Sequence, residues 1–515
     1  MLGKRDLQRS FFTASCQLGA QNVEEMGFYG QMAKFGHRVF ADEDFAALYC
    51  DNNGRPSTPP SLLSLACLLQ HYEGLSDADV VERARYDLRW KLALDLDPLS
   101  VEAPFAKSTF QAFRARLSLH LQEGLAFEKS VKEAREAGLL PAKLRVALDS
   151  SPVRGRGAIK DTFNLLSDAV AAVVRAVAKK TGREAREVAQ EAGLQRHIEA
   201  PSVKGSEEVD WSSPEAVSDF LEGLVRDCDQ ALSLAQEADC ASEEVGLLKK
   251  VVAQDVEQEE GKKAQIHQGV APDRLVSISD PEMRHGRKSS GKAYNGHKAH
   301  VAVEMDSGII TAVEMSAPGE ADGAKVKTLL EKTEEITGRE VGEAVGDSAY
   351  SSRKALEQAQ EAGVELKTKM PAGRRGLFNP ADFQVSEDRQ TALCPAGHPS
   401  ARRAPSQGDL VHYWSEEQCG ECPLKQRCTS GKRRTLRVAE DFHDRRERER
   451  FARSPEGRLL LRQRVVVEHA IGRLKNLGAG TARYFGQVKS KVQWQWTAAV
   501  ANLCLIWGQA AAAVD

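Results

Sequence analysis

No stretch of the sequence is apolar enough to cross a membrane. Its most apolar run, Ala498 to Val514, is interrupted by Asn502, Gly508 and Gln509, whereas a span needs about 20 predominantly apolar residues. It reads instead as a core helix that closes a domain. The first residues contain no basic-plus-apolar leader of the secretory kind, which points to the cytoplasm. No internal repeat is present, which excludes solenoids and propellers.

Net charge is also scarce. The chain has 71 Lys+Arg and 74 Asp+Glu, a balance of −3, which taken alone disfavours a polyanionic partner. The signs are nevertheless segregated. Residues 425–491 hold 19 basic and 7 acidic side chains, a local +12, while residues 162–263 hold 12 and 21, a local −9. A mean near neutrality therefore hides a basic C-terminal region beside an acidic stretch. With 28% charged and 41% hydrophobic residues in 515, the chain is of ordinary soluble composition and long enough for two or three domains.

Within the basic region stands Arg464-Val-Val-Val-Glu468-His-Ala-Ile-Gly-Arg473-Leu-Lys475. No Pro interrupts it, and its periodicity suits a helix. Offsets of 4 and 11 residues return to within roughly 40° and 20° of the starting direction, so Arg464, Glu468 and Lys475 share one stripe. An ordinary i,i+4 ion pair on a solvated face, worth about 0.2–0.5 kcal/mol, would show the same spacing. Two upstream segments add weight to a functional role. Leu144-Arg-Val-Ala-Leu-Asp149-Ser-Ser-Pro152 reads as an alternating strand that delivers Asp149 and stops. Gly342-Glu-Ala-Val-Gly-Asp347-Ser-Ala-Tyr350 reads as a second strand ending in Asp, followed by a helix from Ser351 to Ala362. Alone, a strand-end Asp is commonly a cap or turn residue. Two of them with a helix-borne glutamate make three carboxylates whose repulsion a divalent cation would relieve, and an oxygen-only set suits Mg²⁺ or Mn²⁺.

Ten cysteines are present, in two populations. Cys16, Cys50, Cys67, Cys228, Cys240 and Cys504 are scattered through helical or apolar contexts, as small core hydrophobes in a reducing compartment. The others cluster as Cys394-Pro-Ala-Gly-His398 and Cys419-Gly-Glu-Cys422-Pro-x4-Cys428. Four thiolates in a Gly- and Pro-rich stretch fit a tetrahedral structural Zn²⁺ site, with His398 or His412 able to replace one. Metal would then provide much of the folding energy of a segment with few apolar residues. A redox-active Cys-x2-Cys is the competing reading, but no thioredoxin-like βαβ pattern surrounds it.

Together, Asp149 in Leu-Asp-Ser-Ser-Pro-Val-Arg-Gly-Arg-Gly, Asp347 in Val-Gly-Asp-Ser-Ala-Tyr and Glu468 in Arg-x3-Glu-x6-Lys resemble the signature of DDE transposases of bacterial insertion sequences. One large group of these carries Tyr-x2-Arg-x3-Glu-x6-Lys; here the tyrosine position is Leu461, a departure that bears on how transposon-end DNA is held. The likeness extends through Asp280-Pro-Glu-Met-Arg-His-Gly-Arg-Lys, Tyr294-Asn-Gly-His-Lys-Ala-His-Val-Ala-Val-Glu, the segment from Pro59 to Arg89 and Ser108-Thr-Phe110-x3-Arg114, nearly the whole chain. It implies an α/β fold with a ribonuclease-H-like mixed sheet. It also implies two Mg²⁺ or Mn²⁺ ions on Asp149, Asp347 and Glu468, and cleavage of transposon ends followed by strand transfer. Arg464 and Lys475 would grip phosphates, with Arg473 and the flexible basic loop Arg154-Gly-Arg156 as further contacts. The partners are terminal inverted repeats and target DNA, and synapsis of two ends implies a homodimer.

The expected organisation is a helical N-terminal DNA-binding domain (1–140) and a catalytic domain (141–515). The latter is interrupted by an acidic helical insertion (162–268) and a zinc-ribbon-like cysteine-rich insert (376–430). In the first region, Ser76 is expected to cap one helix, and Ser108 to Leu117 to form another capped, basic amphipathic one; a helical bundle without DNA contact would look alike. In the core, His297 to Met305 and Ile309 to Met315 form a hairpin turning at Asp306-Ser-Gly308. A helix around Lys325 to Thr337 and a strand from Val364 to Met370 complete it. Two other functions are compatible with the residues: a catalytically silent, transposase-derived DNA-binding or regulatory protein, favoured by Leu461, and a metal-dependent nuclease without strand transfer.

Overall fold

A computed structural model describes residues 1–5, 26–50, 54–240, 242–258, 263–271, 273–289, 291–370 and 377–512; Cys16 lies outside them. The N-terminal region is helical, with α1 (Pro60–Glu73), α2 (Asp77–Tyr86) and α3 (Lys107–Leu119) among its elements. Ser76 caps α2 as expected, in a reciprocal capping box with Asp79. The cap expected of α3 is absent: Ala106 occupies the position and makes no side-chain bond.

The sheet begins with β1 (Lys143–Arg154). Helix α4 (Thr162–Thr181) then opens a helical body whose buried residues, from Phe163 to Leu275, form an apolar cluster of their own. The chain returns through β2 (Arg284–Ser289), β3 (Lys292–Glu304) and β4 (Ile310–Ser316). It continues through α5 (Val326–Thr337), β5 (Glu340–Gly346), α6 (Arg353–Glu361) and β6 (Glu365–Thr368). The sheet is mixed. Its order is β2-β3-β1-β5-β6, with β4 also on β3. β1 is antiparallel to β3 and parallel to β5, and β5 is parallel to β6. The β3–β4 hairpin stands where the alternation placed it.

β1 does not stop at Asp149. Its pairing with β5 ends at Ala147↔Val345, but pairing with β3 continues to Arg154↔Gly296. Pro152 is tolerated because, beyond the end of β5, one edge of β1 has no strand partner to receive an N–H. Gly296 has φ +152°, and a Cβ there would lie 2.1 Å from the Val153 carbonyl oxygen, so only glycine allows this crossing.

The cysteine-rich segment contributes β7 (Arg402–Ser406), β8 (Asp409–Tyr413) and β9 (Thr435–Val438), a small antiparallel sheet. Contrary to expectation it has an apolar core, because Phe383, Trp414, Leu436, Val438 and Phe442 come together from well-separated positions. Helices α7 (Phe442–Arg453), α8 (Pro455–Gln463), α9 (Val465–Asn476) and α10 (Gln487–Ala512) end the chain.

The N-terminal helices, the sheet and α10 share one continuous apolar cluster, containing the buried Trp90, Trp494 and Trp507. Removing one such side chain would cost about 3–5 kcal/mol. The polar residue that breaks the terminal apolar run has a partner here: Asn502 accepts from Ile310 N and donates to Ile310 O, both at 2.9 Å, stitching α10 to β4. Among the described residues no helix is long and apolar enough to cross a membrane.

Candidate active site

The parallel pairing of β1 and β5 brings the two aspartates together. Each lies two residues past the last pair, Ala147↔Val345, so Asp149 and Asp347 stand at the same level on neighbouring strands, Asp149 still paired with β3 and Asp347 just past the end of β5. Asp347 also caps the short 3₁₀ turn Ser348–Ser351, accepting from Ala349 N at 2.9 Å. The helix expected from Ser351 therefore starts later, at Arg353. Asp149 accepts from Ser150 N at 2.7 Å. Burial pushes its carboxyl above the ordinary Asp range, and the charge of Asp347 adds to this against the pull of Arg464.

Arg464 supplies the third link. It sits between α8 and α9 in right-handed helical geometry and caps α9, so the segment from Arg464 to Lys475 is the single helix its periodicity predicts. Its guanidinium donates to Asp149 Oδ2 at 3.3 Å and to Glu468 Oε1. The side chains of Arg464 and Asp149 are mostly buried, whereas that of Glu468 is 53% exposed. Lys475 is half-buried farther along α9, and its ammonium is held below the usual lysine range by burial and by Lys288, with Asp149 opposing.

Tyr350 was not expected in this site. It is fully buried; its hydroxyl has no hydrogen-bond partner among the described residues, and burial followed by nearby Asp322, Asp149 and Asp347 keeps it protonated. Its position three residues after Asp347 was the available signal. A buried pair of Asp280 and His297, 3.3 Å apart, was also missed; it anchors the loop that carries Met283 against Gly155 and Gly157.

The basic candidates divide. Arg154 and Arg156 are exposed, with Arg156 bonded to the Arg483 carbonyl and lying over the exposed Phe485 ring at 5.7 Å. Arg473 is engaged elsewhere, donating to Gly308 O at 3.0 Å at the β3–β4 turn. Arg114, in the stretch that carried the N-terminal resemblance, is bound to Asp77 (2.5 Å), Gln70 (3.1 Å) and Tyr484 (3.3 Å).

Among the described residues, no group of three or more His, Cys, Asp or Glu side chains is assembled to hold a metal ion. In the carboxylate site Arg464 provides the positive charge shared by Asp149 and Glu468. The donors themselves, two neighbouring aspartates and an exposed glutamate on a helix, are chemically suited to a hard divalent cation. Cys394, Cys419, Cys422 and Cys428 line one cavity of about 20 Å³ together with His398. Burial and the other three thiols raise the Cys428 thiol, with Arg434 opposing, and four thiols around one cavity suit Zn²⁺. His412 is excluded as a ligand because both ring nitrogens are used, by Ser400 Oγ (2.9 Å) and Arg389 O (3.0 Å).

Two aspartates stand side by side on a mixed sheet, and an arginine joins one of them to a helix-borne glutamate, the arrangement that the resemblance to DDE transposases leads one to expect. Residues 393–507 match the family model described as a transposase DDE domain, and residues 21–116 match that of a transposase domain designated DUF772. These matches, toward opposite ends of the chain, support its identification as a DDE transposase of an insertion sequence. The first takes in the cysteine cluster and Glu468, while Asp149 and Asp347 fall outside both. No curated protein and no solved structure matches the chain.

Proposed function

We propose that the protein cleaves DNA at transposon ends and transfers the freed 3′-hydroxyl into target DNA, with Asp149, Asp347 and Glu468 as the catalytic residues. The observation that carries this reading is the joining of Asp149 to Glu468 through Arg464, beside Asp347 on the next strand. The strand order β4-β3-β1-β5-β6, antiparallel in its first half and parallel in its second, supports a ribonuclease-H-like core.

The three carboxylates would hold two Mg²⁺ or Mn²⁺ ions. Such ions, when bound, lower the pKa of an attacking water and stabilise the attacking and leaving oxygens of an in-line displacement. Water oxygen bonds to phosphorus as the P–O3′ bond breaks, leaving a 5′-phosphate and a free 3′-hydroxyl. That hydroxyl then attacks a phosphodiester of the target, displacing a 3′-oxygen there. Arg464 and Lys475 orient the phosphates beside the scissile bond, and Arg464 exchanges its carboxylate contacts for phosphate as DNA enters. Arg154 and Arg156 extend the cationic surface along the far half of β1.

In this reading residues 1–140 bind the terminal repeats, and 141–515 form the catalytic domain with insertions at 162–268 and 376–430. The second insertion is a zinc-ribbon-like element holding structural Zn²⁺ through its four thiols. The protein works in the bacterial cytoplasm on nucleoid DNA and pairs two ends as a homodimer. The test is cleavage of a labelled duplex carrying the element's own terminal repeat, by wild type and Glu468→Gln, in Mg²⁺ and in EDTA. Metal-dependent nicking at the repeat boundary, absent from the variant, is the expected result. Specific binding without nicking by wild type would leave a DNA-binding protein only, and nicking without joining a nuclease.

A further inference from the structure

An open cleft of about 750 Å³ runs between the end of β6 and helices α7 and α8. Its walls carry Lys369, Arg453, Arg458 and Arg462. The one carboxylate lining it, Glu449, is paired with Arg453. Lys369, Arg458 and Arg462 are exposed and form no ion pair among the described residues. Three unneutralised cations around one open cleft, Lys369 on one wall and Arg458 and Arg462 on the other, raise the local positive potential that an anion would relieve.

The cleft is fixed to the active site at two points. Lys369 N donates to the carbonyl of Gly346, the residue before Asp347, at 3.3 Å. On the other wall, α8 leads directly into Arg464. Leu461, which stands where the resembled signature has tyrosine, also lines this cleft and packs partly against the core. A leucine cannot donate to a phosphate, but Arg458 and Arg462, three residues before it and one after, can do so with forked geometry.

We propose that Lys369, Arg458 and Arg462 form a second phosphodiester-binding site that holds a DNA backbone as it enters the carboxylate site. The site rests on the transposase reading given above and deepens it by assigning a DNA path on this side of Asp347. The ligand is the backbone of duplex DNA, which either the transposon end or the target can supply. Arg464 and Lys475 are separate from it, since neither lines the cleft.

The test uses the full chain and two probes, a duplex bearing the element's terminal repeat and an unrelated duplex of equal length, each titrated across a salt series. Wild type is compared with Arg458→Gln/Arg462→Gln and with the charge reversal Arg458→Glu/Arg462→Glu. Both arginines are exposed, so thermal unfolding should stay near wild type, and the milder pair guards against misfolding of the reversal. Loss of two phosphate contacts lowers the slope of log K against log salt by about 1.8 and weakens binding at least tenfold. Weakening confined to the repeat duplex assigns the cleft to the transposon end; weakening confined to the unrelated duplex assigns it to target DNA. Unchanged slopes on both probes overturn the proposal while leaving the transposase reading intact. If wild type binds neither duplex at low salt, the transposase reading itself fails, and the cleft assignment with it.

Discussion

Asp149 and Asp347 occupy equivalent positions on adjacent parallel strands, each two residues past Ala147↔Val345, where the pairing of β1 with β5 ends. The consequence is electrostatic. Burial and the charge of Asp347 both oppose ionisation of Asp149, and a nearby cation favours it. In this structure the cation is Arg464.

Asp149→Asn and Asp347→Asn should therefore retain DNA binding and lose cleavage. Neutral amides reduce repulsion of phosphate, so affinity stays within a few-fold of wild type or rises. Nicking in Mg²⁺ should fall by more than about a hundredfold, beyond the range typical of indirect changes at metal sites. Gel shift and single-turnover cleavage on one labelled duplex separate the two effects. Near-wild-type nicking by either variant would remove that aspartate from the chemistry.

How far the site was legible in the sequence depended on the range of the interactions. Asp347 ended its strand as the local pattern said, because a short apolar run followed by a capping side chain is a local signal. Asp149 did not end β1: the strand is carried onward by β3, a partner so distant along the chain that no local window contains it. The helix expected from Arg464 to Lys475 is present, with Arg464 at its N-cap and bonded to Glu468 one turn on, because helical periodicity is a local signal. Arg473 looked like an available cation, since sequence shows charge but not the carbonyl that occupies it. The small core around Trp414 was missed for the same reason, its members being spread from Phe383 to Phe442.

Arg464→Met should destabilise the protein in EDTA and much less so in Mg²⁺. The variant leaves the mostly buried Asp149 without its side-chain partner. A fully buried pair broken on one side costs about 3–5 kcal/mol, and partial exposure of this site reduces that to about 1–2 kcal/mol. A divalent ion on the carboxylates would offset the loss. Thermal melts of both proteins in EDTA and in millimolar Mg²⁺ measure it, and an identical deficit in the two conditions would argue that the carboxylates take no metal there.

The four thiols predict a metal inventory. Protein purified without chelator should contain about one zinc per chain, and Cys419→Ser/Cys422→Ser should contain none. Because ligand binding contributes to folding, limited proteolysis should become faster in the segment from Phe378 to Phe442 while the sheet stays protected. Equal zinc content in wild type and variant would dissociate the metal from these cysteines and return the pair to the redox reading.

His71 predicts how stability changes with pH. It is buried on α1 against α10, its ring stacked on Trp496 with centroids 6.0 Å apart and its Nδ1 3.5 Å from Thr497 Oγ1. Burial, with Arg483 and Arg114 nearby, lowers its pKa to about 3. Unfolded, the imidazole takes a proton near pH 6.5, so the unfolded chain binds more protons than the folded one between those values. Stability is thus fully present above pH 6.5 and is lost as pH falls toward 3, at up to about 1.4 kcal/mol per pH unit. His300, whose pKa burial lowers to about 4, adds to the same acid limb. His71→Phe removes one of these two contributions, so between pH 7 and pH 5 it should lose about 2 kcal/mol less than wild type. Urea unfolding at pH 7, 6 and 5 reads this difference. Parallel losses in the two proteins would mean that His71 is protonated in the folded state, and that the α1–α10 contact accommodates a charge beside Arg114 and Arg483.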